Sequence, residues 1–129
     1  MASELRVNTL KDASGNNSVG MSTVAQGSAK VWAAFGTDAS LDDSHNASSA
    51  TDNGTADFSL TATNATATIN TAVSGSIIGT TVGAYACMLT GSGVAKTTTV
   101  TRFRTVNYYD SIAYMDVGPM QVIIHGDLA

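Results

Sequence analysis

The densest group of side chains capable of chemistry is Asp42, Asp43 and His45, in which two carboxylates and an imidazole stand within a short segment. Such a set can bind a divalent cation or exchange protons with a substrate. Its spacing matches no specific metal or catalytic motif, and residues 40–49 have the composition of a solvated loop between strands. We therefore predict a polar loop here and no metal site.

Two other groupings of acidic and histidine residues are equally unspecific. His125 and Asp127 would project to the same side of a strand, where three copies near a threefold axis would be able to hold a metal. A solvent-exposed outer face of the last strand explains the same spacing more simply. Asp52 and Asp57 flank a tight turn, whereas hydrolysis of a glycoside would require such a pair in a cleft with aromatic platforms. The turn is the better explanation of that pair.

Arginine and aromatic side chains offer the remaining candidates for ligand contact. Arg102 and Arg104 share one face of a predicted strand and would be able to bind an anionic group such as a phosphate. Two arginines do not make a patch, and an exposed strand face is favoured. The aromatic residues that would stack on a sugar are Trp32, Tyr108, Tyr109 and Tyr114. Only 6% of the residues are aromatic, so these rings are expected to lie in the core.

Composition indicates a folded β domain whose partners are not nucleic acids. A chain of 129 residues fits one domain. Only 12% of the residues are charged, whereas globular proteins average roughly 25%, and abundant Thr and Val favour strands over helices. A net charge of -4 with only six basic residues does not suit a polyanionic nucleic-acid partner.

The sequence also argues against catalysis, membrane insertion and disulfide formation. It contains no recognisable nucleophile setting and no phosphate-binding glycine loop, so we predict neither enzymatic activity nor a cofactor. Residues 72–89 are interrupted by Ser, Gly and Thr too often for a membrane span. The first residues show no signal-peptide pattern, and synthesis in the cytoplasm is expected. Cys87 is the single cysteine and cannot form an internal disulfide.

Residues 1–27 are predicted to form an N-terminal β-arm, ahead of a body at residues 28–129. The arm begins with the period-two alternation of a strand. Its alternating positions on one face are Leu5, Val7 and Thr9. The turn-forming residues DASGNN at 12–17 then suggest a hairpin into a second strand at 19–24.

The body shows the same period-two pattern, with alternate side chains facing a core. Met120, Val122 and Ile124 are predicted to face the core, and Phe58, Leu60 and Ala62 to share the buried face of their strand. In the first strand of the body, Val31, Ala33 and Phe35 share one face. The strand that contains Trp32 has apolar groups on both sides and is predicted to be covered on both. Asn53 and Gly54 predict a type I′ hairpin turn, and the strand that follows is expected to have one wet face.

These patterns predict an all-β fold, an antiparallel sandwich or jelly-roll-like domain of about eight strands that follows the β-arm. From Phe58 to Ala95 the chain contains no charged residue. Such a stretch would be a solubility hazard as an exposed edge. We therefore expect a partner surface to cover part of it.

Two segments of the chain resemble a known family. They are SELRVNTLKDASGNNS at residues 3–18, and AKVWAAF at 29–35 followed by DDSHNASSATDNGTADFSL at 42–60. Both are similar to tail-fibre and related virion structural proteins of tailed bacteriophages, in particular phages of cyanobacteria and marine bacteria. The chain departs from the family pattern where relatives carry larger apolar groups, at His45, Ala47 and Ala50.

The resemblance implies a virion protein, a tail-fibre or tail-associated component that assembles as a homotrimer and docks to the particle through its arm. The implied partners are copies of the chain itself, other structural proteins of the tail or capsid, and a glycan of the host surface. A capsid decoration or head-fibre protein and a carbohydrate-binding module are the alternatives. We assign the interface to Leu5, Val7, Leu10, Trp32, Phe35 and His125.

Overall fold

The structure, a computed structural model, describes residues 5–78, 86–90, 96–107 and 113–129. Its helix in these ranges is α1 (Met21–Gly27). Its strands are β1 (Thr9–Lys11), β2 (Ser18–Gly20), β3 (Ala29–Phe35), β4 (Leu41–His45), β5 (Ala47–Gly54), β6 (Asp57–Ala62), β7 (Ala72–Ile77), β8 (Ala86–Thr90), β9 (Val100–Asn107), β10 (Ala113–Tyr114) and β11 (Met120–His125).

Two antiparallel sheets form the body. Sheet I has the strand order β4-β3-β11-β7. Sheet II has the order β5-β6-β9-β8. The short strand β10 pairs with the same edge of β9 as β6 does, beyond the end of β6. In sheet I, β11 lies between β3 and β7, so the strand that ends the body pairs with the strand that begins it. The prediction of an all-β antiparallel sandwich of about eight strands is confirmed.

The sheets face each other through the core that the alternating pattern predicts. The predicted core positions are buried, namely Phe58, Leu60, Ala62, Met120, Val122 and Ile124. Val31, Ala33 and Phe35 of β3 are buried beside them. Phe103 of β9 completes the cluster, and its ring centroid lies 5.9 Å from that of Phe35 and 6.3 Å from that of Phe58. Burial of one such ring stabilises the fold by about 1.5–3 kcal/mol. The three rings therefore contribute much of the attraction between the sheets.

The β5–β6 hairpin forms where it is predicted, but its turn lies further along the chain. Gly54 (φ 123°) and Ala56 (φ 62°) adopt positive φ, and Gly54 is still paired as the last residue of β5. The turn therefore centres on Thr55 and Ala56, and the prediction of a type I′ turn at Asn53 and Gly54 is wrong. The Asn53 side chain donates to Ser59 Oγ at 2.8 Å, which holds Asn53 against the neighbouring strand.

The predicted polar loop at residues 40–49 is also wrong, because β4 and the start of β5 occupy it. Both are edge strands, and polar or charged side chains on edges discourage pairing with another chain. The chain passes from sheet I to sheet II at Asn46, whose φ of 54° is one that asparagine tolerates. The Asn46 amide donates to Lys30 O (3.0 Å), and its Oδ1 accepts from Asn64 N–H (2.9 Å), which anchors the crossing.

The arm folds as a hairpin followed by a helix. β1 pairs with β2 around the predicted turn, where the Asp12 carboxylate accepts hydrogen bonds from the Ser14 hydroxyl (2.8 Å) and the Asn17 amide (2.7 Å). These bonds lower the pKa of Asp12. The predicted return strand at 19–24 is wrong in its second half, because α1 starts at Met21. Helix-favouring Met, Ala and Gln residues account for the difference.

Two strands differ from expectation on their second faces. The outward face of β6 is not exposed to solvent, since Asp57 and Ser59 are each 8% exposed. β6 is central in sheet II, and side chains from both neighbouring strands, Asn53 and Arg102, lie over it. β3 is not covered on both faces, since Trp32 on its outer side is 36% exposed. The outer face of sheet I is therefore open in a single chain.

Candidate interaction surfaces

A carboxylate–guanidinium pair joins β6 to β9 on the outer face of sheet II. Arg102 Nε donates to Asp57 Oδ1, and Arg102 Nη2 donates to Asp57 Oδ2, both at 2.5 Å. This bidentate geometry matches the planar guanidinium to both carboxylate oxygens. The hydrogen bond from Arg102 lowers the pKa of Asp57 against the opposing effect of burial, and the same bond raises the pKa of Arg102.

Arg104 extends this pair into a small cluster. Its Nη2 lies 3.7 Å from Asp57 Oδ2, and its guanidinium lies 5.4 Å from the centroid of the Tyr114 ring, within the range of cation–π attraction. Both arginines thus already contact a carboxylate, and an anionic ligand is not needed to explain them. Tyr108 and Tyr109, two of the predicted sugar-stacking residues, lie outside the described residues.

The acidic and histidine residues singled out in the sequence do not converge on one another. Asp43 and His45 stand two positions apart on the edge strand β4. His125 ends β11, and Asp127 lies beyond the strand. The Asp52 carboxylate accepts a hydrogen bond from the backbone N–H two residues on (2.8 Å). Among the described residues, no three His, Cys, Asp or Glu side chains are close enough to hold a metal ion.

The outer face of sheet I, formed by the outward-pointing side chains of its four strands, has an apolar centre. The ladders align one row across β4, β3, β11 and β7 as His45, Trp32, Ile123 and Ser74. They align the next row as Asp43, Ala34, Gln121 and Ser76. Trp32 is 36% exposed and Ile123 is 40% exposed. Two large apolar side chains therefore lie side by side in the middle of an uncovered sheet.

The margins of this face are small or polar. β7 contributes Ser74 and Ser76, and Ser76 Oγ donates to Gln121 Oε1 (3.1 Å). Lys30 lies at the end of the face nearest the arm. Its Nζ donates to Ala25 O and to Ser28 Oγ, so its charge is already partly satisfied within the chain.

The arm is a second uncovered apolar surface. No residue between 5 and 28 is buried. Its exposed apolar side chains are Leu5 (80%), Leu10 (43%), Val7 (36%) and Val19 (36%). Leu10 and Val19 also line a shallow groove across the hairpin, together with the polar residues of its turn. Exposed apolar side chains that lie together, as Leu10 and Val19 do, are common on surfaces that bind another protein.

Five of the six predicted interface residues are at least partly exposed, namely Leu5, Val7, Leu10, Trp32 and His125. The sixth, Phe35, is 0% exposed. It shares the inward face of β3 with Val31 and Ala33, and its ring packs against the other two phenylalanines of the core. Phe35 therefore belongs to the core and not to an interface.

The structural roles of two carboxylates were not predicted from the sequence. Asp57 holds the arginine cluster, and Asp116 Oδ1 accepts a hydrogen bond from Ala56 N–H in the β5–β6 turn (2.6 Å). The sequence held part of the information about the role of Asp57. Alternation places Asp57 and Ser59 on one face of their strand, and Arg102 and Arg104 on one face of another strand. The local pattern does not say that these two strands are neighbours.

Comparison of the chain with protein-family models, with curated proteins and with solved structures finds no match. Within the described part of the chain, no helix is long and apolar enough to cross a membrane. The function must therefore be argued from the surfaces of the chain itself.

Proposed function

We propose that this chain is a structural protein of a bacteriophage virion, a tail-fibre or tail-associated component that assembles as a homotrimer and attaches to the particle through residues 1–27. The observation that carries the proposal is the division of the chain into a self-contained sandwich and an arm that buries none of its described residues, 5–27, yet exposes four large apolar side chains. The sequence resemblance of residues 3–18, 29–35 and 42–60 supports the assignment to a phage particle.

The body has two distinct ends, which suits a component that is anchored at one end. The arm joins β3 at Ala29, which pairs with His125, the last residue of β11. We call this the arm end. At the opposite, far end, the contact between Asp116 and Ala56 ties the β5–β6 turn to the segment that precedes β11. A protein held by its arm would present the far end to its surroundings.

The far end carries exposed groups of its own. They are Tyr114 (52%), Ile78 (51%) and Met115 (40%). Exposed aromatic and apolar residues at the free end suit contact with a further partner, such as another virion protein or a host surface. The arm end and the far end therefore offer separate contacts, one for anchoring and one for what lies beyond the particle.

The anchoring role predicts the effect of deleting residues 1–27. The truncated body is expected to remain folded, because none of the arm residues that the structure describes, 5–27, is buried. It is expected to lose attachment to the particle. Full-length and truncated chains, supplied during infection with a phage from which the gene is deleted, would be compared by mass spectrometry of purified virions and by circular dichroism of the isolated proteins.

A matched variant, Leu10→Asp, keeps the arm but charges its apolar groove, and it should reduce incorporation without changing the melting of the body. Unfolding of the truncated chain would show that the arm belongs to the core. Incorporation of the truncated chain at normal copy number would place the anchor elsewhere. Recovery of the full-length chain with isolated capsids and not with tails would contradict the tail assignment.

A further inference from the structure

We propose that the outer face of sheet I is the surface through which three copies of the chain assemble, with Trp32 and Ile123 of each copy meeting around a threefold axis that runs along the strands. This inference deepens the proposed function and rests on its homotrimer. It names the occupant of the open face as two further copies of the chain and assigns each strand of the sheet a place in the assembly.

The dimensions of the face suit this arrangement. Neighbouring strands are about 4.8 Å apart, so four strands make a face about 19 Å wide. Three such faces arranged as a triangle enclose a space in which each sheet lies about 5.5 Å from the axis. This distance between sheet and axis is close to the length of a large side chain. β3 and β11 are the two central strands, and they place Trp32 and Ile123 where the three faces come nearest the axis.

The edge strands have the side chains that the corners of the triangle require. Threefold rotation about an axis along the strands keeps each row at its own height, so the β4 edge of one copy meets the β7 edge of the next, row by row. His45 would face Ser74 of the partner subunit, and Asp43 would face Ser76 of the partner subunit. Serine hydroxyls are small and can donate to a carboxylate or an imidazole, so the corners are compatible in both size and polarity.

The charges of the face also permit its burial. The face has two formal charges. The Lys30 ammonium already donates to Ala25 O and Ser28 Oγ. The Asp43 carboxylate lies on the edge strand β4 and accepts a hydrogen bond from Ser44 N–H (2.8 Å). Isolated buried charges are costly, and this face presents few of them. Strands that run parallel to the axis also place the three arms at the same end, where all three can reach one docking surface.

A sugar ligand is the competing occupant, because an exposed indole can stack on a pyranose ring. The neighbour of Trp32 in the row is Ile123, which is 40% exposed and offers no hydrogen bond. An aliphatic side chain in the centre of the surface favours a protein partner. A second copy of the same apolar face covers both residues at once.

The test uses the full-length chain and the variant Ile123→Lys. The wild type is expected to sediment as three chains, and the variant as one chain with an unchanged circular dichroism spectrum. The matched control is Thr51→Lys, an exposed position on the outer face of sheet II, which should leave the trimer intact. Ser74→Arg is the second dissociating variant, because it charges a corner without approaching the core.

Trp32 is the only tryptophan of the chain, so its fluorescence reports on this face alone. Its emission should be blue-shifted and protected from acrylamide in the wild type, and red-shifted and quenched in Ile123→Lys and Ser74→Arg. If Ile123→Lys does not fold, Ser74→Arg and dilution of the wild type must still give both changes together.

A wild-type trimer that survives Ile123→Lys and Ser74→Arg would overturn the assignment of this face while leaving the proposed virion trimer standing. A wild-type trimer whose Trp32 is quenched freely, and whose emission shifts on addition of an oligosaccharide, would identify the face as a sugar site and overturn the inference. A wild-type monomer at all concentrations would remove the homotrimer from the proposed function as well.

Discussion

Replacement of Phe35 by alanine is expected to lower the free energy of unfolding by about 3–5 kcal/mol, the range for loss of a fully buried phenylalanine. Phe35 is 0% exposed, and its ring centroid lies 5.9 Å from that of Phe103 and 6.4 Å from that of Phe58. The vacated space borders both sheets. Urea unfolding followed by circular dichroism at two protein concentrations would measure the loss.

The two concentrations separate a core residue from an interface residue. The loss caused by Phe35→Ala should be found in the monomeric background Ile123→Lys as well, because it arises within one chain. Tyr114→Ala serves as the aromatic control, since Tyr114 is 52% exposed and loss of its cation–π contact with Arg104 costs about 1 kcal/mol or less. A Phe35→Ala chain of unchanged stability that no longer self-associates would restore Phe35 to the interface predicted from the sequence.

The second large effect is expected from Asp57→Ala. This change removes the carboxylate that binds Arg102 at both oxygens and leaves the guanidinium without its partner. Loss of one member of a fully buried pair costs about 3–5 kcal/mol. Arg102 is partly exposed and water can replace some of the contact, so we expect a loss of about 2 kcal/mol. Asp42→Ala, which removes an exposed carboxylate from the edge strand β4, should cost about 0.5 kcal/mol or less.

The Asp57 pair also predicts how stability depends on pH. The pKa of Asp57 is lowered in the folded chain, so folding favours the ionised carboxylate. Its contribution is complete above the unfolded pKa of about 3.9 and is lost as the pH falls through the lower folded pKa. The wild type should lose stability in this acidic range more steeply than Asp57→Ala. Parallel curves for the two proteins between pH 5 and pH 2, taken as about the range of this titration, would show that the pair contributes nothing.

The strands with strict alternation could be predicted from the sequence, and their physical reason is local. Phe58, Leu60 and Ala62 repeat every second residue, and that period alone sets which side chains face a core. The same reasoning fails for β4, because its Asp, Ser and His residues have the composition of a loop. Its strand conformation comes from pairing with β3, a contact that local sequence does not encode.

The candidate surfaces were predictable only in part, for the same reason. Apolar residues in the arm were evident from their spacing, and the open face around Trp32 required knowledge of which strands lie beside β3. Alternation places Phe35 and Trp32 on opposite faces of one strand that has apolar groups on both sides, and only the sheet packing shows which of the two faces the core. Asp57 likewise gains its role from β9, which follows it in the chain by some forty positions.

The position of β11 in the middle of sheet I has a consequence for biosynthesis. The strands of sheet II have all been made once residue 114 has been added, whereas β3 and β7 cannot be joined until residues 120–125 emerge from the ribosome. Until then, the inner face of sheet II, with Phe58 and Phe103, has no complete sheet to cover it. Nascent chains with exposed apolar surface are prone to aggregation. We therefore expect the core to close only after residues 120–125 have left the ribosome, and a chain truncated before residue 120 to expose the apolar inner face of sheet II.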